Sequence, residues 1–192
     1  MRKTKKLYKT CLLVGRFQPF HIGHFKMIKK ALNFAETVLV LIGSANEPET
    51  ERNPFSYKER EEMIAHCFKN GRLIVKPIRD IKVGDNSIWG EFVLEETKKI
   101  LGDYPSLYLS GQEKVRESWF YGLAQAKELD EISIHKTDDI CASDLRRKLI
   151  ECSDLDIKTE STKYLECLEK IPKEIHVFVP LMIKRLKMVA NK

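Results

Sequence analysis

The chain has 192 residues, 43% of them hydrophobic and 32% charged, with a formal net charge of +6. That length fits one domain with a sizeable core and a small C-terminal appendage, and the composition suits a soluble globular protein. No apolar run approaches the ~20 residues that a membrane-spanning helix needs, and the positive balance suits either nucleic acid or ligands that carry several phosphates. The five cysteines, Cys11, Cys67, Cys141, Cys152 and Cys167, are odd in number and scattered, which fits reduced thiols and a cytoplasmic protein.

In chain order, a basic start (1–6) leads into an apolar run at 7–14 that reads as strand one rather than as a signal segment. Gly15-Arg16-Phe17-Gln18-Pro19-Phe20-His21-Ile22-Gly23-His24 follows, and then an amphipathic helix at 24–33. Residues 37–42 lack polar alternation, as expected of a parallel strand buried on both faces. Ser56-Tyr57-Lys58-Glu59 has the pattern of a capping box opening a second helix. Strand three falls at 73–78, a helix at 89–101, strand four at 107–110, a helix at 115–129 and strand five at 131–135. A short basic helix at 143–150 is started by Ser143 or by Cys141, and beyond residue 151 only helical patterning remains, with Pro172 and Pro180 placed like first-turn prolines.

Five alternations of strand and helix predict an α/β fold. The expected form is Rossmann-like and doubly wound, a mainly parallel sheet of five to six strands with helices on both faces and a helical C-terminal extension. The expected division is residues 1–151 for the main domain and 152–192 for the extension of that same domain. Ligands of such sheets bind beyond the C-terminal ends of the strands, so the loops after the strands carry the chemistry.

The first of these loops is the most informative. Strand, glycine-containing turn and helix is the order in which a phosphate site is built. Gly15 allows a close backbone approach and Pro19 stiffens the turn. With a helix start near His21, the imidazoles of His21 and His24 share its first-turn face, where unpaired N–H groups and the dipole favour an anion. A zinc pair lacks a Cys, Asp or Glu at a helpful spacing. The other loops hold Ser44 and Arg52, then Asp80, Asn86 and Trp89, then Ser110, Gly111 and Gln112, and finally Ser143 and Arg146. Arginine offers phosphate a planar fork of donors, indole is the best aromatic partner for a cation, and a carboxamide both donates and accepts.

The ten residues from Gly15 to His24 resemble the HxGH signature of the nucleotidyltransferase superfamily and, in full, the nicotinamide-mononucleotide (NMN) adenylyltransferases of the archaeal type. The segment from Ile42 through Arg52-Asn53-Pro54-Phe55 to Glu59-Arg60 is similar to the same family, and Ile140-Cys141-Ala142-Ser143-Asp144-Leu145-Arg146 resembles the second superfamily signature, with Cys141 in place of a serine and Ser143 in place of a threonine. This resemblance implies synthesis of NAD and pyrophosphate from ATP and NMN. It implies catalytic roles for His21, His24 and Arg146, and ATP contacts by Gly15, Arg16, Phe17, Gly23, Ser110, Gly111, Gln112 and Ser143. NMN would be held by Ser44, Arg52, Asp80, Asn86 and Trp89, with Arg52 on its phosphate, and Mg²⁺ would be bound through the triphosphate rather than by protein ligands. The rivals are a superfamily transferase with another phosphorylated acceptor, which would usually open with Gly-Thr-Phe-Asp, and a non-catalytic nucleotide or RNA binder. Neither a membrane nor a nucleic acid is expected as partner, and the family's habit of assembling leaves a homo-oligomer open.

Overall fold

The fold was analysed in a computed structural model that describes residues 7–81, 84–111, 119–134 and 140–191. Five strands form one parallel sheet: β1 (Tyr8–Gly15), β2 (Ala35–Ile42), β3 (Leu73–Pro77), β4 (Leu107–Gly111) and β5 (Asp130–Ile134), in the order β3-β2-β1-β4-β5. The helices α1 (Ile22–Phe34), α2 (Tyr57–Cys67) and α3 (Asn86–Leu101) connect the first four strands. After β5 come α4 (Ala142–Ile150), α5 (Asp154–Lys158), α6 (Thr162–Glu169), a 3₁₀ stretch (Lys173–Phe178) and α7 (Val179–Ala190).

The chain runs outward from β1 through β2 to β3, then returns to lay β4 on the other side of β1. That reversal puts the switch point of the sheet between β1 and β4, the place beyond whose C-terminal strand ends ligands of such sheets bind. Both faces are covered, and the pleat decides what each residue meets. Cys11, Leu13, Val38 and Val40 point to the side of α1, α2, α4, α6 and α7, whereas Leu12, Leu39, Leu41 and Tyr108 point to Val93 and Leu94 of α3. This double burial is why β2 reads as an unbroken apolar run, and each such aliphatic side chain contributes about 1.5–3 kcal/mol. The C-terminal helices have no core of their own: Cys152, Cys167, Ile175 and Met182 join the cluster that holds Leu13 and Val40.

The expected helix at 115–129 does not survive in its described part. Residues 119–129 form turns and a 3₁₀ helix at Ala124–Ala126, because Gly122 sits at φ +75°, a left-handed value that ends a right-handed helix. Residues 112–118 of that expected helix, and His135 of the expected strand five, lie outside the described residues. Two helices start earlier than their apolar patterns suggest. α1 begins at Ile22 with His21 as its cap, and α3 at Asn86 with Asp85 as its cap.

Candidate active site

The β1–α1 turn is a locked cluster of rings. The His21 imidazole caps α1 by accepting from the Gly23 amide at Nδ1 (3.2 Å), and the His21 amide donates to Nδ1 of His24 (3.4 Å). A ring nitrogen that accepts carries no proton, so each neutral imidazole carries its proton on Nε2. The two rings stack with centroids 3.7 Å apart, Phe20 stacks on His24, and Phe17 meets His24 edge-on at 4.7 Å. The glycines serve these rings. A Cβ on Gly15 would come within 3.0 Å of the Phe17 ring, and one on Gly23 within 3.1 Å of the His21 ring. The space at Gly15 that the sequence suggests for a ligand is therefore filled by Phe17, which itself holds φ +53°. The first turn of α1 contains no acidic residue, and the Ile22 amide is bonded to the carbonyl of Lys170, ahead of α7.

Two distant segments converge on this turn. Arg146, half-buried on α4, donates from Nη1 to the Gln18 carbonyl (2.7 Å), across 128 positions of chain. Burial lowers the Arg146 pKa, and the guanidinium remains a cation at neutral pH. The Gln18 side chain, only 2% exposed, donates to the Phe55 carbonyl (2.8 Å) and accepts from the Phe55 amide (2.9 Å). That pair of bonds fastens the loop carrying the exposed Arg52 to the turn.

At the ends of β2 and β3, Ser44 and Asp80 pair. The Ser44 hydroxyl and amide donate to the two carboxylate oxygens at 2.6 and 3.2 Å, and Asn46 accepts from the Asp80 amide. Asp80 thus ties two strand ends together. Arg60 of α2 lies beneath them, fully buried, and sequence reading does not single it out beyond its place in the Glu59-Arg60 pair. An arginine in a helix with an apolar face gives no local sign that it turns inward to satisfy carbonyls.

The remaining expected residues make contacts within their own elements or with adjoining segments. Ser110 and Gly111 end β4, with the Ser110 hydroxyl 3.1 Å from that of Ser133. Gln112 lies outside the described residues. Cys141 caps α4, with its sulfur 2.8 Å from the Ser143 hydroxyl, and that hydroxyl together with the amides of Asp144 and Ser143 lowers the thiol pKa. Asn86 is exposed at the start of α3, and the half-buried Trp89 packs against Phe92 and Trp119. Among the described residues, no hydrogen bond or ring contact joins Asn86 or Trp89 to the β1–α1 turn. Among those residues, too, no group of three or more His, Cys, Asp or Glu side chains could hold a metal ion, and no helix is long and apolar enough to cross a membrane.

A family model described as cytidylyltransferase-like matches residues 12–185. The nicotinamide-nucleotide adenylyltransferase of Pyrococcus furiosus is 32% identical over 74% of this chain and 74% of its own length. The chain belongs to the cytidylyltransferase-like family and, within it, to the nicotinamide-nucleotide adenylyltransferases. The protein of that name from Thermococcus kodakarensis is 27% identical over 96% of this chain and 90% of its own length. The one from Saccharolobus solfataricus is 40% identical over 46% of this chain, an alignment that spans about half of that relative, 53%. Among solved structures, a bifunctional NMN adenylyltransferase/ADP-ribose pyrophosphatase from Francisella tularensis superposes with a TM-score of 0.64 at 23% identity, over 84% of this chain and 53% of that one. The nicotinic acid mononucleotide adenylyltransferase of Plasmodium falciparum gives 0.54 at 14% identity, over 93% of this chain and 94% of that one. These likenesses show the shared fold.

Proposed function

We propose that the chain transfers the adenylyl group of ATP to nicotinamide mononucleotide, forming NAD and releasing pyrophosphate. The observation that carries this reading is the stacked histidine pair at the start of α1, with the Arg146 guanidinium on the same turn. Both Nδ1 atoms accept from backbone amides, which puts the proton of each neutral ring on Nε2, the atom we assign to phosphate donation. Family membership supports the reaction class, and the imidazoles and guanidinium gathered at the β1–α1 turn support phosphates as what it binds.

The attacking atom is a phosphate oxygen of the mononucleotide, largely ionised at neutral pH with its second pKa of ~6, so the reaction needs no general base. That oxygen attacks the α-phosphorus in line. The bond to the bridging oxygen breaks, and pyrophosphate leaves with the electron pair. The protein must bring two anions together and stabilise charge on the α-phosphoryl oxygens. His21 and His24 donate to the ATP phosphates, one of them at the α-phosphoryl group. Arg16 and Arg146 hold the β- and γ-phosphates, and Arg52 holds the phosphate of the acceptor. Gly15, Phe17 and Gly23 shape the turn, while Ser110, Gly111, Gln112 and Ser143 flank the nucleotide. Ser44 and Asp80 set the strand ends beside the acceptor, Trp89 takes the cationic pyridinium face and Asn86 its carboxamide. The donors around the histidines are cationic or neutral and suit an anion rather than a metal cage. Mg²⁺ would be held by the triphosphate rather than by protein side chains, and would supply charge neutralisation there. We place the protein in the cytoplasm, in the synthesis of pyridine nucleotides.

The test is an NAD-forming assay with ATP, Mg²⁺ and NMN, run beside nicotinic acid mononucleotide, flavin mononucleotide and phosphopantetheine as acceptors. NAD formation is the expected outcome. Turnover of another acceptor in its place overturns the assignment of Asn86 and Trp89, and ATP binding without turnover of any acceptor overturns the enzymatic reading.

A further inference from the structure

Arg60 is the largest fully buried side chain of the molecule among the described residues, and its bonding is unusual for a cation. Nε donates to the carbonyl of Ser56 (3.1 Å), Nη1 to those of Arg16 (2.8 Å) and Gly43 (2.7 Å), and Nη2 to that of Ser44 (3.3 Å). Every partner is a neutral carbonyl. No ion pair of the described residues includes Arg60, and both oxygens of the nearby Asp80 are engaged by Ser44. Burial lowers the Arg60 pKa to about 10, which leaves it charged at neutral pH.

Asp80 and Glu59 act on this charge without forming an ion pair with it, and taking a cation out of water costs several kcal/mol that the four carbonyl bonds must offset. Its location gives it a role. The carbonyls of Arg16, Gly43 and Ser44 lie where β1 and β2 end, at the edge where the anions of the proposed reaction collect. Carbonyl oxygens facing outward there would repel a polyphosphate. Arg60 draws them inward and leaves a fixed positive charge below the site. It also fixes the backbone of Arg16, the residue before the left-handed Phe17, whose ring abuts His24.

We propose that Arg60 is a positioning residue of the anion site, orienting the strand-end carbonyls away from the polyphosphate and holding the Arg16–Phe17 backbone against which His24 is set. The inference rests on the adenylyl-transfer reading. It is tested with Arg60→Met, Arg60→Lys and, as a core control on the same helix, Ile64→Ala, measuring pyrophosphate binding by calorimetry, kinetics of NAD formation and thermal unfolding.

Arg60→Met is expected to weaken pyrophosphate binding and raise the KM for ATP by about tenfold or more, each tenfold being 1.4 kcal/mol. Ile64→Ala should lower the melting temperature while leaving both values within about twofold, since a cavity in the core acts on stability. Arg60→Lys keeps the charge and loses the fork of donors, so pyrophosphate affinity should hold within about threefold while kcat falls about tenfold. Equal effects of Arg60→Met and Ile64→Ala overturn the proposal. Should Arg60→Met fail to fold, full retention of kcat by Arg60→Lys overturns it instead. Pyrophosphate binding separates the two readings. If the wild-type chain forms no NAD yet Arg60→Met loses pyrophosphate, the acceptor assignment fails and the role of Arg60 stands.

Discussion

The β1–α1 turn and the start of α3 are both helix N-termini at the ligand edge of the sheet, and they are finished in opposite ways. α1 is capped by an imidazole that accepts at Nδ1 and has no acidic residue in its first turn, so no carboxylate cancels its positive end even though the Ile22 and Gly23 amides are bonded within the protein. α3 is capped by the Asp85 carboxylate, which accepts from the Ser87 amide and hydroxyl at 2.7 and 2.6 Å and cancels the charge of that helix end. The first is also rigidly tied, with Gln18, His21 and Phe17 buried and bonded. The second is exposed at Asn86 and held by ring packing of Trp89 on Phe92 and Trp119. On the proposed reading, the two helix starts divide the substrates by charge, with phosphates at α1 and a cationic ring at α3.

That division is easiest to break at the histidines. His24→Ala should lower kcat for NAD formation by ~10²–10³, the cost of losing one donor to a transition-state oxyanion, with an unchanged circular dichroism spectrum. An enzyme that keeps most of its rate removes His24 from the chemistry. Gln18→Leu strands the buried amide and carbonyl of Phe55 and should cost about 2–3 kcal/mol in a denaturant titration. It should also raise the KM for the mononucleotide, because the Arg52 loop comes loose, and an unchanged KM would show that this loop positions nothing.

On the α3 side the expected effects are smaller and of a different kind. A Cβ on Gly90 would lie 2.0 Å from the Trp119 carbonyl oxygen, so Gly90→Ala must push residues 119–123 off the helix. The expected cost is about 1–3 kcal/mol of overpacking, read by thermal unfolding, with ATP affinity unaffected. Trp89→Ala should raise the KM for NMN by ~2–30-fold, the range of a cation–π contact of ~0.5–2 kcal/mol, and leave the KM for ATP alone. An equal rise in both constants would merge the two sites that the helix ends separate.

The smallest expected effect concerns the tie between the C-terminal helix and the anion side. Arg185 of α7 donates from Nη2 to Glu59 (2.9 Å), whose other oxygen accepts from the Ser56 amide at the start of α2. Burial opposes ionisation of Glu59, but Ser56 and then Arg185 outweigh it, and the carboxyl pKa is held below its ordinary value of 4.5. A carboxyl depressed by folding contributes stability that is full above that ordinary value and is lost as pH falls through the lower, folded one. Arg185→Met should therefore cost about 1–2 kcal/mol at pH 7, and the difference from wild type should shrink as Glu59 is protonated. A difference that stays constant down to pH 2 would assign the loss to packing.

Local chemistry was legible from the chain alone. The capping box of Ser56 and Glu59 is present on both sides, and the strand periods place β1 to β5 within a few residues. The ten residues from Gly15 to His24 bring their two imidazoles together because the whole motif lies within one turn and one helix start. Where the pattern misled, a single backbone angle was responsible: residues 119–129 carry helical spacing, but Gly122 is left-handed, and spacing says nothing about φ.

The sequence by itself determined the alternation of strands and helices, the helix caps and the histidine turn, since each depends on neighbours within about four residues. Only the tertiary structure decided that β4 lies against β1, that Arg146 reaches the Gln18 carbonyl 128 positions away, and that Lys170 and Arg185 bring the C-terminal helices to the starts of α1 and α2. It also decided the burial of Arg60. The carbonyls that hold this arginine belong to strand ends that become neighbours only when the sheet assembles, so no stretch of sequence around Arg60 records them.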